Sequence, residues 1–249
     1  MKPYVIIDGA PVSTYFLMAL AAIVFTVIIT LVKRKAFGLR VRDVLRLTAF
    51  AIIGGLIGAR LFSSIGQIVL HGREPGFWTA DNWRYILSGV GVFYGGLLGS
   101  IGMVALWAKI GRLDMKSVFN VVTYAALAFQ SVARIGCWCA GCCYGIELAS
   151  GERFPVQLVE AGFCAIALLA FLIVRPERRW PGMPLLPVYL ITYSAGRFVL
   201  EFLRGDANRG VFILSTSQWI ALVLITLALV WLRKSKFTRP KKGADKGVL

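Results

Sequence analysis

A single histidine, His71, and 12 acidic residues are all that this chain of 249 residues offers of imidazole and carboxylate groups, the side chains that most often move protons. A zinc site built on several histidines is excluded by that count. A pair of C-x-x-C units is excluded too, because the chain has five cysteines and no second such pair. Charge is also scarce: 16% of residues are charged against 58% hydrophobic, with a mean hydropathy of +0.73. A chain of this length and composition cannot bury its apolar surface in one water-soluble core, which makes it a membrane protein. No repeat of fixed period, soluble domain, nucleotide motif or haem motif can be read, so no cofactor is expected. The opening "MKPYVIIDGAPVST" lacks the basic start of a signal peptide, and none is expected.

What the chain does have is apolar length. A helix needs about 20 residues to cross a bilayer, and runs of that order fall at 13–32, 44–70, 88–108, 117–136, 155–174, 183–204 and 216–232. The expected fold is all-α and polytopic, with seven transmembrane helices. Most of the 28 basic residues fall after alternate spans, from Lys33 to Arg46, Lys109 to Lys116, Arg175 to Arg179, and in the tail from Arg233. Basic residues of short loops stay on the cytoplasmic side, which places the N-terminus outside and the C-terminus inside. Residues 1–233 form the membrane domain, and 234–249 a basic cytoplasmic tail. The net charge of +16 is then a topology signal that meets anionic lipid, and no nucleic-acid partner is expected. In the outer loop at 71–87, Trp78, Trp83 and Tyr85 read as interfacial anchors on the membrane surface, on a stretch that can form a short amphipathic helix.

Four arginines remain inside the spans, all toward their outer ends: Arg60, Arg134, Arg197 and Arg204. Only Glu160 and Glu201 lie at similar depth. An arginine at the centre of a span costs roughly 2.5–3.5 kcal/mol, so these side chains need partners. Arg197, Glu201 and Arg204 share one helix face, and Glu201 can pair with either arginine. If Glu160 pairs with Arg60 or Arg134, two positive charges are left over, which points to a site for an anionic group such as a lipid phosphate. Gly54 and Gly58, and Gly91, Gly95 and Gly99, recur at intervals of four and give two helices smooth faces for close packing.

Four of the five cysteines, Cys137, Cys139, Cys142 and Cys143, follow Arg134 in "ARIGCWCAGCCYG". A metal knot, a disulfide, a reactive thiol cluster and simple packing are all readings of such a stretch. Spacing weighs against metal, because histidine partners and a second pair are missing. Cys142, Cys143 or both are expected to face a lipid pocket as thiols rather than as metal ligands, so that no metal site is expected, and Cys164, alone in its span, is expected to pack.

Together with "GARLF" at 58–62, "GVGVFYGGLLG" at 89–99, "RFPVQLVE" at 153–160, "YSAGRFVLEFLRGD" at 193–206 and "STSQWIALVLI" at 215–225, this stretch resembles the prolipoprotein diacylglyceryl transferase family over nearly the whole chain. The resemblance implies the same seven-span topology in a bacterial inner membrane. It also implies transfer of a diacylglyceryl group from phosphatidylglycerol to the cysteine thiol next to a lipoprotein precursor's signal peptide, with release of glycerol phosphate. By position, Arg134 and Arg204 match the family's phosphate-binding arginines and Arg60 a supporting one. Tyr15, Gly136, Gly145, Gln157, Glu160, Tyr193, Arg197 and Glu201 also fall on family positions.

The chain departs from the family where a base would stand. Tyr94 and Phe154 occupy histidine positions, Cys137 and Ala140 asparagine positions, and Cys142 a glutamate position. A missing base typically costs roughly 10²–10⁴ in rate, and the acceptor is a thiol that is already partly ionised at neutral pH. Tyr94, Cys142 or Cys143 is the candidate replacement. Two other readings stay open: a family paralogue that uses its own cysteines in a different lipid or thiol chemistry, and a non-catalytic lipid-binding or redox membrane protein on the same scaffold.

Overall fold

The computed structural model describes residues 3–73, 77–79, 93–205, 210–211 and 213–235. A hairpin of β1 (Tyr4–Ile7) and β2 (Ala10–Ser13) precedes helix α1 (Thr14–Lys33). Helices α2 (Val41–His71), α3 (Phe93–Ile110), α4 (Met115–Ala140), α5 (Val156–Val174), α6 (Leu185–Leu200) and α7 (Thr216–Lys234) follow. A two-residue pairing of 210–211 with Leu214–Ser215 lies before α7. The described residues are therefore helical apart from two minimal hairpins and two isolated bridges. Thr14–Phe37, Val41–Val69, Met115–Ala140, Val156–Val174 and Thr216–Lys234 are each long and apolar enough to cross a membrane. Gly95–Ile110 is apolar but shorter, and α6 has 16 residues before a 3-10 turn at Glu201–Leu203. The protein is a multi-pass membrane protein, with five such helices among the described residues where the hydropathy pattern counts seven runs. Trp83, Tyr85 and the tail beyond Ser235 lie outside the described residues.

The chain divides into two compact units, Leu39–Val118 and the remainder. In the first unit, α2 and α3 meet at the glycines whose spacing marks them in the sequence. A Cβ on Gly58 would strike the Gly95 carbonyl, and one on Gly99 would strike the Gly54 carbonyl. With no side chain between them the backbones approach closely, as small residues allow in lipid. Ser100 Oγ donates to the Ala51 carbonyl across the same seam at 2.8 Å. Phe50 stacks on Trp107 at 4.8 Å, with the Arg46 guanidinium over the indole. Gly91 lies outside the described residues.

The second unit holds α1, most of α4, and α5 to α7. Ser215 starts α7 with a capping box, its hydroxyl accepting from Gln218 N while the Gln218 side chain accepts from Ser215 N. The same Gln218 donates to the Phe198 carbonyl at 3.3 Å, tying α7 to α6. α5 ends where Arg175 takes a left-handed φ of 49° and Pro176 follows. At this end of the unit Lys33 Nζ meets Glu177 Oε1 at 2.9 Å, and Tyr124 donates to Glu177 Oε2 at 2.6 Å.

Lys33 corrects one expectation. It reads in the sequence as a loop charge, yet it is 7% exposed and lies over the Tyr124 ring at 4.6 Å. The turn Pro176–Arg179 supplies the carboxylate that lets it stay charged there. Burial alone would raise the Glu177 pKa, but the Tyr124 hydroxyl and the Lys33 ammonium outweigh it and hold the carboxyl below its ordinary value. Stability from this lowered pKa is present at neutral pH and is lost as pH falls through the folded-state value. Glu177→Gln leaves a buried ammonium without its counter-charge, and we expect about 3 kcal/mol of destabilisation. Thermal unfolding in detergent checks it: the gap between variant and wild type should narrow as pH is lowered.

Candidate functional site

At the opposite end of the same unit, the start of α1, the end of α4, the start of α5 and the end of α6 converge. The loop after α4 determines what they enclose. Gly141 takes a φ of +74°, which favours glycine, and Cys143 takes +58°, so the chain turns back on the helix it has just left. Cys142 N then donates to the Cys137 carbonyl at 3.2 Å, and Cys142 Sγ reaches that carbonyl at 3.6 Å. As a result the sulfurs of Cys137, Cys142 and Cys143 all lie within 4.8 Å of one another. Cys139, two residues along α4 from Cys137 and so on another face of the helix, is outside the trio. All five cysteines are free thiols.

Backbone pairing fixes this loop to the end of α6. Gly145 N donates to the Phe154 carbonyl at 3.1 Å, Ile146 N to Leu203 at 3.0 Å, and Gly205 N to Tyr144 at 3.0 Å. A Cβ on Gly205 would strike the Gly145 carbonyl, and one on Gly145 the Phe154 carbonyl. These two glycines let three segments cross at backbone distance, and Arg204, paired with Gly145 in a bridge, is carried to the cysteines. Its side chain hydrogen-bonds Cys143. Gln157 Nε2 holds the loop from α5 by donating to the Cys142 carbonyl at 2.8 Å. Gly136 makes room for α1, since a Cβ there would stand 2.9 Å from Met18 Cβ and 3.6 Å from the Tyr15 ring.

Beside the loop runs a chain of charges. Glu160, 2% exposed, accepts from the Tyr193 hydroxyl at 2.8 Å and meets Arg134 at 3.1 Å through the same oxygen, while its other oxygen lies 3.7 Å from Arg197. Arg197 in turn meets Glu201 at 2.7 Å. Of the pairings left open in the sequence, Glu201 meets Arg197, and Glu160 meets Arg134 and Arg197 together. The expectation that two arginines lack partners gives way to a network in which Arg134, Arg197 and Arg204 face two carboxylates and the thiols. Hydrogen bonding from Cys137 pulls the Cys143 thiol down to about 5 against the effect of burial, with Arg204 and then Arg134 adding to it. Burial, and after it the neighbouring Cys143, pushes Cys142 the other way.

Of the residues singled out in the sequence, this end of the unit gathers Tyr15, Arg134, Cys142, Cys143, Gln157, Glu160, Tyr193, Arg197, Glu201 and Arg204. Arg60 and Tyr94 belong to the other unit, Arg60 on α2 and Tyr94 at the start of α3, and the Tyr94 side chain lies outside the described residues. Sequence reasoning passed over Gln130 and Tyr189. The Tyr189 hydroxyl donates to Gln130 Oε1 at 2.8 Å and its ring stacks on Tyr193 at 5.6 Å, which backs the Tyr193–Glu160 contact. A glutamine within an apolar span was the available signal. Cys164 Sγ lies 3.8 Å from the same Gln130 oxygen, a packed thiol apart from the trio.

Residues 3–233 match the family model described as prolipoprotein diacylglyceryl transferase. The chain belongs to that family. Relatives named phosphatidylglycerol–prolipoprotein diacylglyceryl transferase include one from Clostridium tetani, 29% identical and covering 96% of this chain and 100% of its own length. A protein from Clostridium perfringens, the second of that name there, is 28% identical over 96% and 97% of the two chains. One from Dehalococcoides mccartyi is 26% identical over 82% and 80%. In this member of the family the bundle end holds a thiol trio directly beside its arginines.

Proposed function

We propose that the protein transfers a diacylglyceryl group from phosphatidylglycerol to the cysteine thiol of a lipoprotein precursor, in the outer leaflet of a bacterial inner membrane. All seven helices span in this reading, with the N-terminus outside and the tail from Lys234 inside. The observation that carries it is the meeting of Arg134 and Arg204 at one bundle end with the thiol loop between them. A phosphodiester held by two guanidinium groups is oriented and charge-neutralised, so its glycerol carbon becomes the electrophile. The acceptor sulfur attacks that carbon and forms a C–S bond while the C–O bond to phosphate breaks. Its electron pair leaves on glycerol phosphate, which also takes up the thiol proton. Glu160 orients Arg134 and Arg197, and Tyr15, Tyr193 and Gln157 complete the headgroup surroundings.

A second reading, in which the protein's own cysteine accepts the lipid, is favoured by the exposed Cys142. Purified protein incubated with phosphatidylglycerol and a precursor peptide separates the two. A diacylglyceryl thioether on the peptide supports transfer to the precursor, and one confined to Cys142 or Cys143 supports the second reading. No thioether on either, with intact lipid recovered, sinks both. Tyr94 is proposed to stand in for the family's histidine as a hydrogen-bonding group, so Tyr94→Phe should slow peptide modification by about tenfold or more. Unchanged turnover would return Tyr94 to packing.

A further inference from the structure

We infer that Cys137, Cys142 and Cys143 form a three-thiolate site for a zinc ion, whose fourth position takes the acceptor thiol; this deepens the transferase reading and rests on it. The sequence hides the site because its visible motif is the C-x-x-C of Cys139 and Cys142. The chain reversal at Gly141 discards Cys139 and recruits Cys137 from the last turn of α4. Zinc–sulfur bonds of about 2.3 Å in tetrahedral geometry place thiolate sulfurs about 3.8 Å apart. The three sulfurs stand within 4.8 Å already, so closing on an ion takes shifts on the order of 1 Å. A disulfide would need two of them drawn to about 2.05 Å and would leave the third unused.

The number of ligands indicates the kind of site. A structural zinc site is closed by four protein ligands, whereas a catalytic one keeps three and leaves a position open. Among the described residues no fourth histidine, cysteine or carboxylate joins the trio. Cys142 is exposed, which gives an ion and a substrate a way in, while Cys137 is buried and anchors the site to the helix. Three thiolates with one zinc carry a net charge of −1, and a bound acceptor thiolate makes it −2. Arg204, bonded to Cys143, and Arg134, one turn before Cys137, offset that charge.

The chemistry answers the family's missing histidine. A thiol that coordinates zinc loses its proton outright, so no side-chain base is required. With an ion held by Cys137, Cys142 and Cys143, the acceptor R–SH would lose its proton on binding, its sulfur would form the C–S bond as the C–O bond to phosphate breaks, and glycerol phosphate would leave with the electron pair and take up a proton.

The test uses full-length protein purified in detergent without chelator. Metal analysis should find close to one zinc per chain, retained by Cys139→Ser and lost from a Cys137→Ser, Cys142→Ser double variant. Cadmium added to reduced, metal-stripped wild type should give a cadmium–thiolate charge-transfer band that falls by about one third in each of Cys137→Ser, Cys142→Ser and Cys143→Ser, reporting three thiolates on one ion. Because this readout needs no turnover, it stands apart from the transferase reading. Zinc held by the trio with no thioether made on any peptide would sink the transferase reading and leave the site. Full diacylglyceryl transfer by zinc-free protein, a cadmium band insensitive to the three substitutions, or a trio disulfide with no metal uptake after reduction would each overturn the zinc proposal. A variant that fails to fold shows itself by losing its thermal unfolding transition, and the wild-type cadmium titration then decides.

Discussion

Arg134→Lys is expected to lose about as much diacylglyceryl transfer as Arg134→Ala, on the order of a hundredfold, although only the lysine keeps a positive charge. The guanidinium of Arg134 already commits one nitrogen to Glu160 at 3.1 Å and hydrogen-bonds Tyr193. A planar fork can anchor itself in this way and still present further N–H groups to a phosphate, as charge-assisted bidentate contacts require. A lysine ammonium must choose, and the buried Glu160 carboxylate, with Arg197 only at 3.7 Å on its other oxygen, is the nearer claimant. The variant should therefore fold with a melting temperature closer to wild type than Arg134→Ala, while turnover of phosphatidylglycerol falls equally in both. Steady-state transfer to a precursor peptide, paired with thermal unfolding, checks it. A lysine variant that kept most of its activity would remove Arg134 from headgroup binding.

Some of this site could be read along the chain and some could not, and the difference has a physical basis. Features carried by helical period were legible. The smooth faces at Gly54/Gly58 and Gly95/Gly99 followed from spacing by four, and one helix face limited Glu201 to Arg197 or Arg204, of which Arg197 is seen at 2.7 Å. The placement of Glu160 beside Arg134 was one of two options, because charge scarcity in an apolar span limits the partners. Features made by chain reversal were not legible. The trio depends on Gly141 and on a left-handed Cys143, which no periodicity announces. Nor does anything in the sequence show that Gly145 and Gly205 lie back to back and deliver Arg204 to the thiols. Lys33 misled because a basic residue at a helix end follows the topology rule whether it sits in water or folds back onto Tyr124 and Glu177.

Glu160→Gln should separate orientation from attraction at this site. The carboxylate is almost fully buried and serves Tyr193, Arg134 and Arg197 at once. A glutamine of the same shape can still accept through one oxygen, but it turns an amide donor toward a guanidinium that is itself only a donor. Breaking one partner of a buried ionic network costs about 3–5 kcal/mol, so a marked fall in melting temperature is expected. The change also removes one negative charge from beside Arg134 and Arg197, which strengthens attraction for a lipid phosphate. The two effects act on different constants. Turnover should fall by about a hundredfold as the guanidinium groups lose their fixed orientation, while KM for phosphatidylglycerol stays level or drops. A substitution that merely loosened the bundle would raise KM and lower kcat together, and phosphatidylglycerol would then restore little of the melting temperature. If KM for phosphatidylglycerol rises in step with the loss of turnover, Glu160 is a structural residue and the headgroup site does not lie between Arg134 and Arg204.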